Sequence, residues 1–165
     1  MPWWYARRDT VSISRFARRA TEVARTSESG IAVLRARYFG AASEGYLALA
    51  RGDSAEAERL FTAIPDTLCM VGTCFHEQLV LARLLVARGE YRRAGEILDH
   101  WGRAGGNTTL AVMAALERGQ IAERLGDGAT AVERYQFVID VWRRADPELQ
   151  PFVSEARAGL ERHRR

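Results

Sequence analysis

Several residue types that support particular functions are absent or rare in this chain of 165 residues. The sequence contains no lysine, so every strongly basic side chain is arginine. This absence excludes a phosphate-loop lysine, a Schiff-base lysine and the phosphate-pairing lysine of protein kinases. The three histidines are scattered, and no grouping of side chains is typical of catalysis. We therefore predict that the chain is not an enzyme and that it uses no cofactor.

Long apolar runs and targeting features are also missing. No stretch of about 18 apolar residues occurs, so we predict no membrane insertion. Residues 1–8 lack the charged-then-apolar order of a signal peptide. The net charge of +3 arises from 24 basic and 21 acidic residues that are mostly interspersed, so nucleic acid is not a predicted partner. This composition predicts a cytoplasmic protein.

Proline is confined to four positions, Pro2, Pro65, Pro147 and Pro151, near the two ends or in one predicted loop. The stretches between them are rich in Ala, Arg, Glu and Leu, which favour helices. β-branched residues are sparse and do not alternate with polar ones, so strands are not expected. We predict an all-α fold of about eight helices, over residues 10–27, 31–50, 54–64, 74–88, 91–102, 108–125, 129–144 and 148–162.

The chain has two cysteines, Cys69 and Cys74, in or beside a predicted loop, and His76 follows closely. Three alternatives are open for them: two separate thiols, a disulfide that closes the loop, or a metal site that includes His76. The spacing is not that of a zinc knuckle, so no metal site is predicted. A disulfide would suit an extracytoplasmic location within a larger, membrane-anchored protein.

A repeat with a period of 37 residues runs through the middle of the chain. In each copy a glycine precedes an acidic residue, a small alanine follows, and a large side chain comes four residues later. The aligned residues are Gly52, Gly89 and Gly126; Asp53, Glu90 and Asp127; Ala57, Ala94 and Ala131; and Phe61, Leu98 and Tyr135. The glycine favours the end of one helix, and the acidic residue favours the start of the next. Asp53 and Glu56 also approximate a capping box.

These residues resemble the tetratricopeptide repeat, a helical hairpin with a small residue in its first helix and an alanine early in its second. Gly45, Ala82 and Gly119 match the small first-helix position. The period is 37 residues rather than the usual ~34, and Ala41, Gln78 and Ala115 replace the first-helix Trp of the family. The resemblance implies a right-handed superhelical solenoid of antiparallel helix hairpins.

The repeat divides a single predicted domain, residues 1–165, into an incomplete hairpin (1–30), three full hairpins (31–66, 67–103 and 104–145) and a C-terminal capping helix (146–165). Asp146 and Pro147 favour the start of that last helix. The first edge is not polar, although a solenoid edge normally is. We therefore expect either that an N-terminal domain or partner packs on Trp3 and Trp4, or that this pair folds back on the first helices.

A narrower resemblance concerns residues 141–157, which look like the end of the helical-repeat regions that follow bacterial serine/threonine kinase domains. It implies an alternative function, that of a regulatory C-terminal fragment of a signalling enzyme without catalysis of its own.

The family resemblance also implies that the first helices line a concave, partner-binding groove. The groove positions carried over are Phe39, Tyr46, His76, Leu79, Arg83, Met113, Leu116, Gln120, Glu123 and Arg124, and Ala42, Leu49 and Val86 occupy equivalent positions. For any one of these residues the alternative is ordinary packing, since apolar stripes on helices usually face a core. We predict a protein–protein interaction scaffold or sensor module that binds a peptide or a partner helix in this groove.

Overall fold

The computed structural model describes residues 2–69, 74–101 and 108–163, with the backbone alone at residues 100 and 101. Within these residues nine α-helices and no strand occur, which agrees with the predicted all-α class. The α-helices are α1 (Pro2–Ala6), α2 (Thr10–Thr26), α3 (Gly30–Ala50), α4 (Ser54–Thr62), α5 (Phe75–Ala87), α6 (Tyr91–Trp101), α7 (Thr109–Leu125), α8 (Gly128–Val141) and α9 (Gln150–Arg162). Short 3-10 helices span Asp66–Leu68 and Pro147–Leu149. The eight predicted helices correspond to α2–α9, and α1 is an additional short helix.

The helices form two compact units, residues 1–77 and residues 78–165. In the first unit α3 packs against α1, α2 and α4. In the second unit α7 packs against α6, α8 and α9, and α8 also packs against α9.

Each repeat glycine ends a helix, as predicted. Gly52, Gly89 and Gly126 have φ values of 84°, 77° and 74°, in the left-handed region that a residue without Cβ adopts at little cost. After each glycine, the backbone N–H of the acidic residue donates to the carbonyl oxygen five residues earlier, at 2.9 Å. These bonds join Asp53 to Ala48, Glu90 to Leu85 and Asp127 to Ala122.

A fourth turn of the same kind joins α1 to α2. Arg8 has a φ of 53°, and the backbone N–H of Asp9 donates to the carbonyl oxygen of Trp4 at 2.9 Å. Asp9 then caps α2, because its Oδ1 accepts from the backbone N–H of Ser12 at 2.9 Å. This turn thus joins α1 to α2 as the other three turns join their helices. In it an arginine takes the place that glycine has in the repeat turns.

The acidic residues of the repeat act in two ways. Asp53 and Asp127 cap α4 and α8, accepting from the backbone N–H groups of Glu56 (2.9 Å) and Thr130 (3.1 Å). Glu90 instead forms ion pairs with two arginines, Arg88 at 3.1 Å and Arg93. The predicted capping box is only half formed: the Glu56 carboxylate accepts from Arg59, and the N–H of Asp53 is engaged by Ala48.

Small and large residues of the repeat pack directly against each other. A Cβ added at Gly119 would lie 2.7 Å from Cε1 of Tyr135, and the opposite edge of that ring lies against Gly159. In the first unit Gly45 faces the ring of Phe61 in the same way. The alanines Ala57, Ala94 and Ala131 are fully buried. Small first-helix residues thus let the large second-helix residues fill the space between helices.

The two ends of the chain differ from the expectations in detail. Trp4 folds back on α2, with its ring centroid 5.8 Å from that of Phe16, whereas Trp3 is 68% exposed. At the other end α9 buries Val153, Ala156 and Leu160 in the core of the second unit. The predicted cap by Asp146 is not formed: its side chain accepts no capping hydrogen bond, and a 3-10 turn separates it from α9.

Candidate functional site

The second unit carries a groove of about 670 Å³ that is lined by residues of α5, α6, α7 and α9. It is lined by Arg83, Val86, Tyr91, Met113, Leu116, Glu117, Gln120, Ile121, Glu123, Arg124, Phe152, Glu155 and Arg162. Six of these thirteen side chains are apolar or aromatic and six are charged, so the groove combines apolar area with ion pairs.

Helix α7 supplies most of the lining because of its period. Met113, Glu117, Gln120 and Arg124 recur every three or four residues, and side chains at that spacing share one face of a helix. Leu116 lies between them and is buried. The helix is held in place at its start by Thr108, whose Oγ1 accepts from the backbone N–H of Ala111 at 3.3 Å, and at its end by Gly126.

One side of the groove is formed by an ion pair between α5 and α7. Nε of Arg83 donates to Oε1 of Glu117 at 2.8 Å, and Nη2 donates to the same oxygen. Burial raises the pKa of the Glu117 carboxyl above its usual value, Arg83 opposes that rise, and the charge of Glu155 adds to it. A half-buried carboxylate with one arginine partner therefore faces the groove.

A second cluster joins α7 to α9. Glu123 accepts from Nε and Nη2 of Arg162 at 3.0 and 2.8 Å, and from the hydroxyl of Tyr135 at 2.8 Å. Nε2 of His163 lies 3.2 Å from the same carboxylate. The hydrogen bond from Arg162 lowers the pKa of Glu123 most, and Tyr135 lowers it further. The contacts thus favour the charged form of this carboxylate, and they join α9 to α7 at the edge of the groove.

Two polar side chains complete the rim. Nε2 of Gln120 donates to Oε1 of Glu155 at 2.6 Å. Arg124 is exposed and has no ion-pair partner within the described residues. Its guanidinium therefore remains available for a carboxylate or a carbonyl oxygen of a bound molecule.

The structure places the ten predicted groove residues in four environments. Six of them line the groove of the second unit: Arg83, Met113, Leu116, Gln120, Glu123 and Arg124. Leu79 and Tyr46 belong to the packed interior, 2% and 0% exposed, so they are not available to a partner. His76 is exposed on α5, and Phe39 lines a separate groove between α2 and α3.

The environment of Tyr46 explains its burial. Its ring packs on Phe61, with centroids 5.3 Å apart, and lies near the buried Glu77 carboxylate to which Tyr38 donates. Burial raises the pKa of Tyr46, and the charge of Glu77 adds to this. Tyr46 therefore lies in the core, although the family pattern assigns it to the groove. This is the alternative of ordinary packing that the sequence left open for such residues.

Sequence reasoning missed half of the lining. Glu117 lies four residues after Met113, and this helical spacing is the signal that could have found it. Phe152, Glu155 and Arg162 were missed because the apolar face of α9 predicts a capping helix and gives no sign that the same helix borders a groove.

Cys69 and Cys74 form a disulfide with an S–S distance of 2.00 Å. Because both sulfurs are engaged in this bond, they are not available as the metal ligands of the third alternative. Within the described residues no group of three or more His, Cys, Asp or Glu side chains is arranged to hold a metal ion. Over the same residues, no helix combines the length and apolar character needed to span a bilayer.

Comparison with known proteins supports the fold. No protein-family model and no curated protein matches the chain. Among solved structures, PcrH from Pseudomonas aeruginosa is similar with a TM-score of 0.59 and 20% identity, over 84% of this chain and 95% of PcrH. This likeness confirms the all-α, tetratricopeptide-like helical-repeat fold. At this identity it shows the fold alone, and it does not show the narrower resemblance to kinase-associated regions.

Proposed function

We propose that the protein is a protein-binding scaffold and that the groove of the second unit binds a peptide segment of its partner. The observation that carries this proposal is the composition of the groove, an apolar floor with a charged rim built on α5, α6, α7 and α9. Protein interfaces combine these same two components, an apolar centre and a polar edge.

The floor would supply affinity. Met113 and Phe152 are only partly buried in the isolated chain, and they lie in the groove with the buried Leu116. Covering partly exposed apolar side chains of this size with a peptide is favourable by about 25 cal/mol per Å² of apolar area. A volume of about 670 Å³ is in the range of sites that enclose most of a bound molecule's surface.

The rim would supply orientation. Glu117, Glu123 and Glu155 already have partners on the protein, which hold their side chains in place before binding. Such preorganisation reduces the entropy lost on binding. Among the described residues, Arg124 has no ion-pair partner and can pair with a ligand. A peptide with a carboxylate next to apolar residues would therefore match the groove.

The test starts from the protein partner captured by the native chain and identified by mass spectrometry, whose affinity is then measured for defined variants. We expect Arg124→Glu to weaken binding at least about tenfold, because it reverses the available charge. Arg143→Glu serves as the matched control, since Arg143 is exposed and lies outside the groove lining. Equal affinities for the native chain, Arg124→Glu and Met113→Asp would exclude this groove as the binding site.

The alternative of a signalling-enzyme fragment rests on residues 141–157 alone. In the structure this run forms the end of α8, the 3-10 turn at Pro147–Leu149 and the first half of α9. Its apolar residues Trp142 and Val153 are buried in the second unit. No comparison supports this alternative, and the run is accounted for by packing.

A further inference from the structure

The first unit contains a second groove, of about 470 Å³, between α2 and α3. It is lined by Phe16, Arg19, Ala20, Val23, Ser29, Ile31, Ala32, Arg35, Ala36 and Phe39. Seven of these ten residues are apolar, and Ile31 is 66% exposed. This surface shares no lining residue with the groove of the second unit, so a ligand bound here is independent of the peptide proposed for that groove.

Helix α1 covers one end of this groove. The ring of Trp4 packs on Phe16, and Phe16 packs edge-on against Phe39, each pair with centroids 5.8 Å apart. Beyond Phe16 the groove continues along α2 to Val23 and reaches Ile31 at the start of α3. α1 and α2 are joined by a tight turn and run in opposite directions. The axis of α1 is therefore aligned with this groove.

In the second unit, helix α7 occupies the position that corresponds to α1 and this groove. There α7 packs on both α8 and α9, as α1 packs on both α2 and α3. The turns set the register: Asp127 bonds to Ala122 at the end of α7, and Asp9 bonds to Trp4 at the end of α1. α7 begins at Thr109, well before Ala122. In this register the earlier turns of α7 correspond to the open apolar groove of the first unit, so this groove has a shape that fits a helix.

The charges around this groove are mainly positive. The two ionisable side chains that line it are both arginine, Arg19 and Arg35. Residues 10–39 contain six arginines and only two glutamates. Arg19 pairs with Glu22 on the exposed surface at 2.6 Å, and Arg35 has no ion-pair partner in the part of the chain that the structure describes. The rim thus favours an occupant with carboxylates beside its apolar face.

From these observations we propose that the groove between α2 and α3 binds an amphipathic helix of a partner protein. The helix lies along the groove and places its apolar stripe on Phe16, Val23 and Ile31. Acidic residues on its flanks face Arg19 and Arg35. The partner helix packs on α2 and α3 in the way that α7 packs on α8 and α9.

The experiment uses a synthetic helical peptide of about 14 residues with leucine at every third or fourth position and glutamate on both flanks. Its fluorescein-labelled form is titrated with the full chain, and binding is followed by anisotropy. A second peptide has every glutamate replaced by lysine. Ile31→Asp removes the most exposed apolar contact, and Val11→Asp is the matched control, because Val11 is 65% exposed on α2 but does not line the groove.

We expect the acidic peptide to bind more tightly than the basic one, and Ile31→Asp to weaken it by about tenfold or more. Val11→Asp leaves the affinity unchanged, and Arg35→Glu shifts the preference towards the basic peptide. Circular dichroism of each variant confirms that the helices are intact. Absence of binding up to about 1 mM, equal effects of Ile31→Asp and Val11→Asp, or an unchanged charge preference in Arg35→Glu would overturn the proposal.

Discussion

Arg162 on α9 donates two hydrogen bonds to the Glu123 carboxylate on α7, at 3.0 and 2.8 Å. This contact joins the last helix of the second unit to the helix that supplies most of the groove. The side chains are 57% and 20% exposed, so solvent reaches the arginine more readily than the carboxylate.

Replacing Arg162 with alanine should destabilise the protein modestly and raise the pKa of Glu123 towards 4.5. We expect a loss of about 1 kcal/mol in the free energy of unfolding, because solvent screens the exposed arginine. Urea denaturation and ¹³C NMR titration of the glutamates measure the two effects. Arg157→Ala, also exposed on α9, is the control and should change neither quantity. An unchanged Glu123 pKa in Arg162→Ala would contradict the assigned contact.

The pKa of Glu117 should be raised and that of Glu123 lowered, although both residues lie on α7. Burial raises the pKa of Glu117 above 4.5, so the folded state binds its proton more readily than the unfolded state. The resulting stabilisation is complete below about pH 4.5 and is lost as pH rises through the raised pKa. Relative to Glu117→Gln, the native chain should therefore lose stability as the pH rises from about 4.5 through the raised pKa. Denaturation at a series of pH values tests this, and a constant difference between the two proteins would contradict it.

The contact between Gly119 and Tyr135 makes a prediction about packing. Gly119→Ala places a methyl group 2.7 Å from Cε1 of the ring, and Gly159 blocks the ring on its other side. Overpacking of this kind costs about 1–3 kcal/mol. Gly40→Ala is the matched control in a helix: nothing lies within 4 Å of its added Cβ, so it should stabilise by about 0.5–1 kcal/mol. Thermal unfolding of both variants shows whether their effects have opposite signs, and stabilisation by Gly119→Ala would contradict this packing.

The disulfide between Cys69 and Cys74 predicts a defined thiol count. The native protein should show no reactive thiol before reduction and two after it, because these are the two cysteines of the sequence. The bond joins residues five apart, and closure of so short a loop stabilises by about 2 kcal/mol. Thiol titration in denaturant with and without reductant gives the count, and Cys69→Ser/Cys74→Ser gives the stability. Two free thiols in the unreduced, air-exposed protein would rule out the bond.

Much of the fold could be predicted from sequence because its signals are local. The glycine and acidic residue of each repeat turn predict helix ends, and Gly52 and Gly126 have the expected left-handed φ. The turn at Arg8 has the same backbone bond, from Asp9 to Trp4, but no glycine, so its sequence signal is the predicted helix start at residue 10.

The candidate site was less predictable because it depends on burial between elements. Tyr46 occupies a groove position of the family pattern, but Phe61 and Glu77 enclose it in the first unit. Phe152 and Arg162 join the groove only through the packing of α9, which no spacing within one helix reveals. Helical periodicity identifies a face, and the neighbouring helices decide whether that face is core or surface.

The most direct test of the proposed function is site-specific photo-crosslinking in cells of the source organism. A photoreactive phenylalanine derivative at position 120, in the groove of the second unit, should form an adduct with a protein partner. The same group at position 143, outside the groove lining, should not form that adduct. We predict a crosslinked adduct at position 120 whose yield falls when an excess of the unlabelled chain is added. Equal crosslinking at the two positions, or a partner captured only at position 143, would contradict the proposal that this groove binds a peptide.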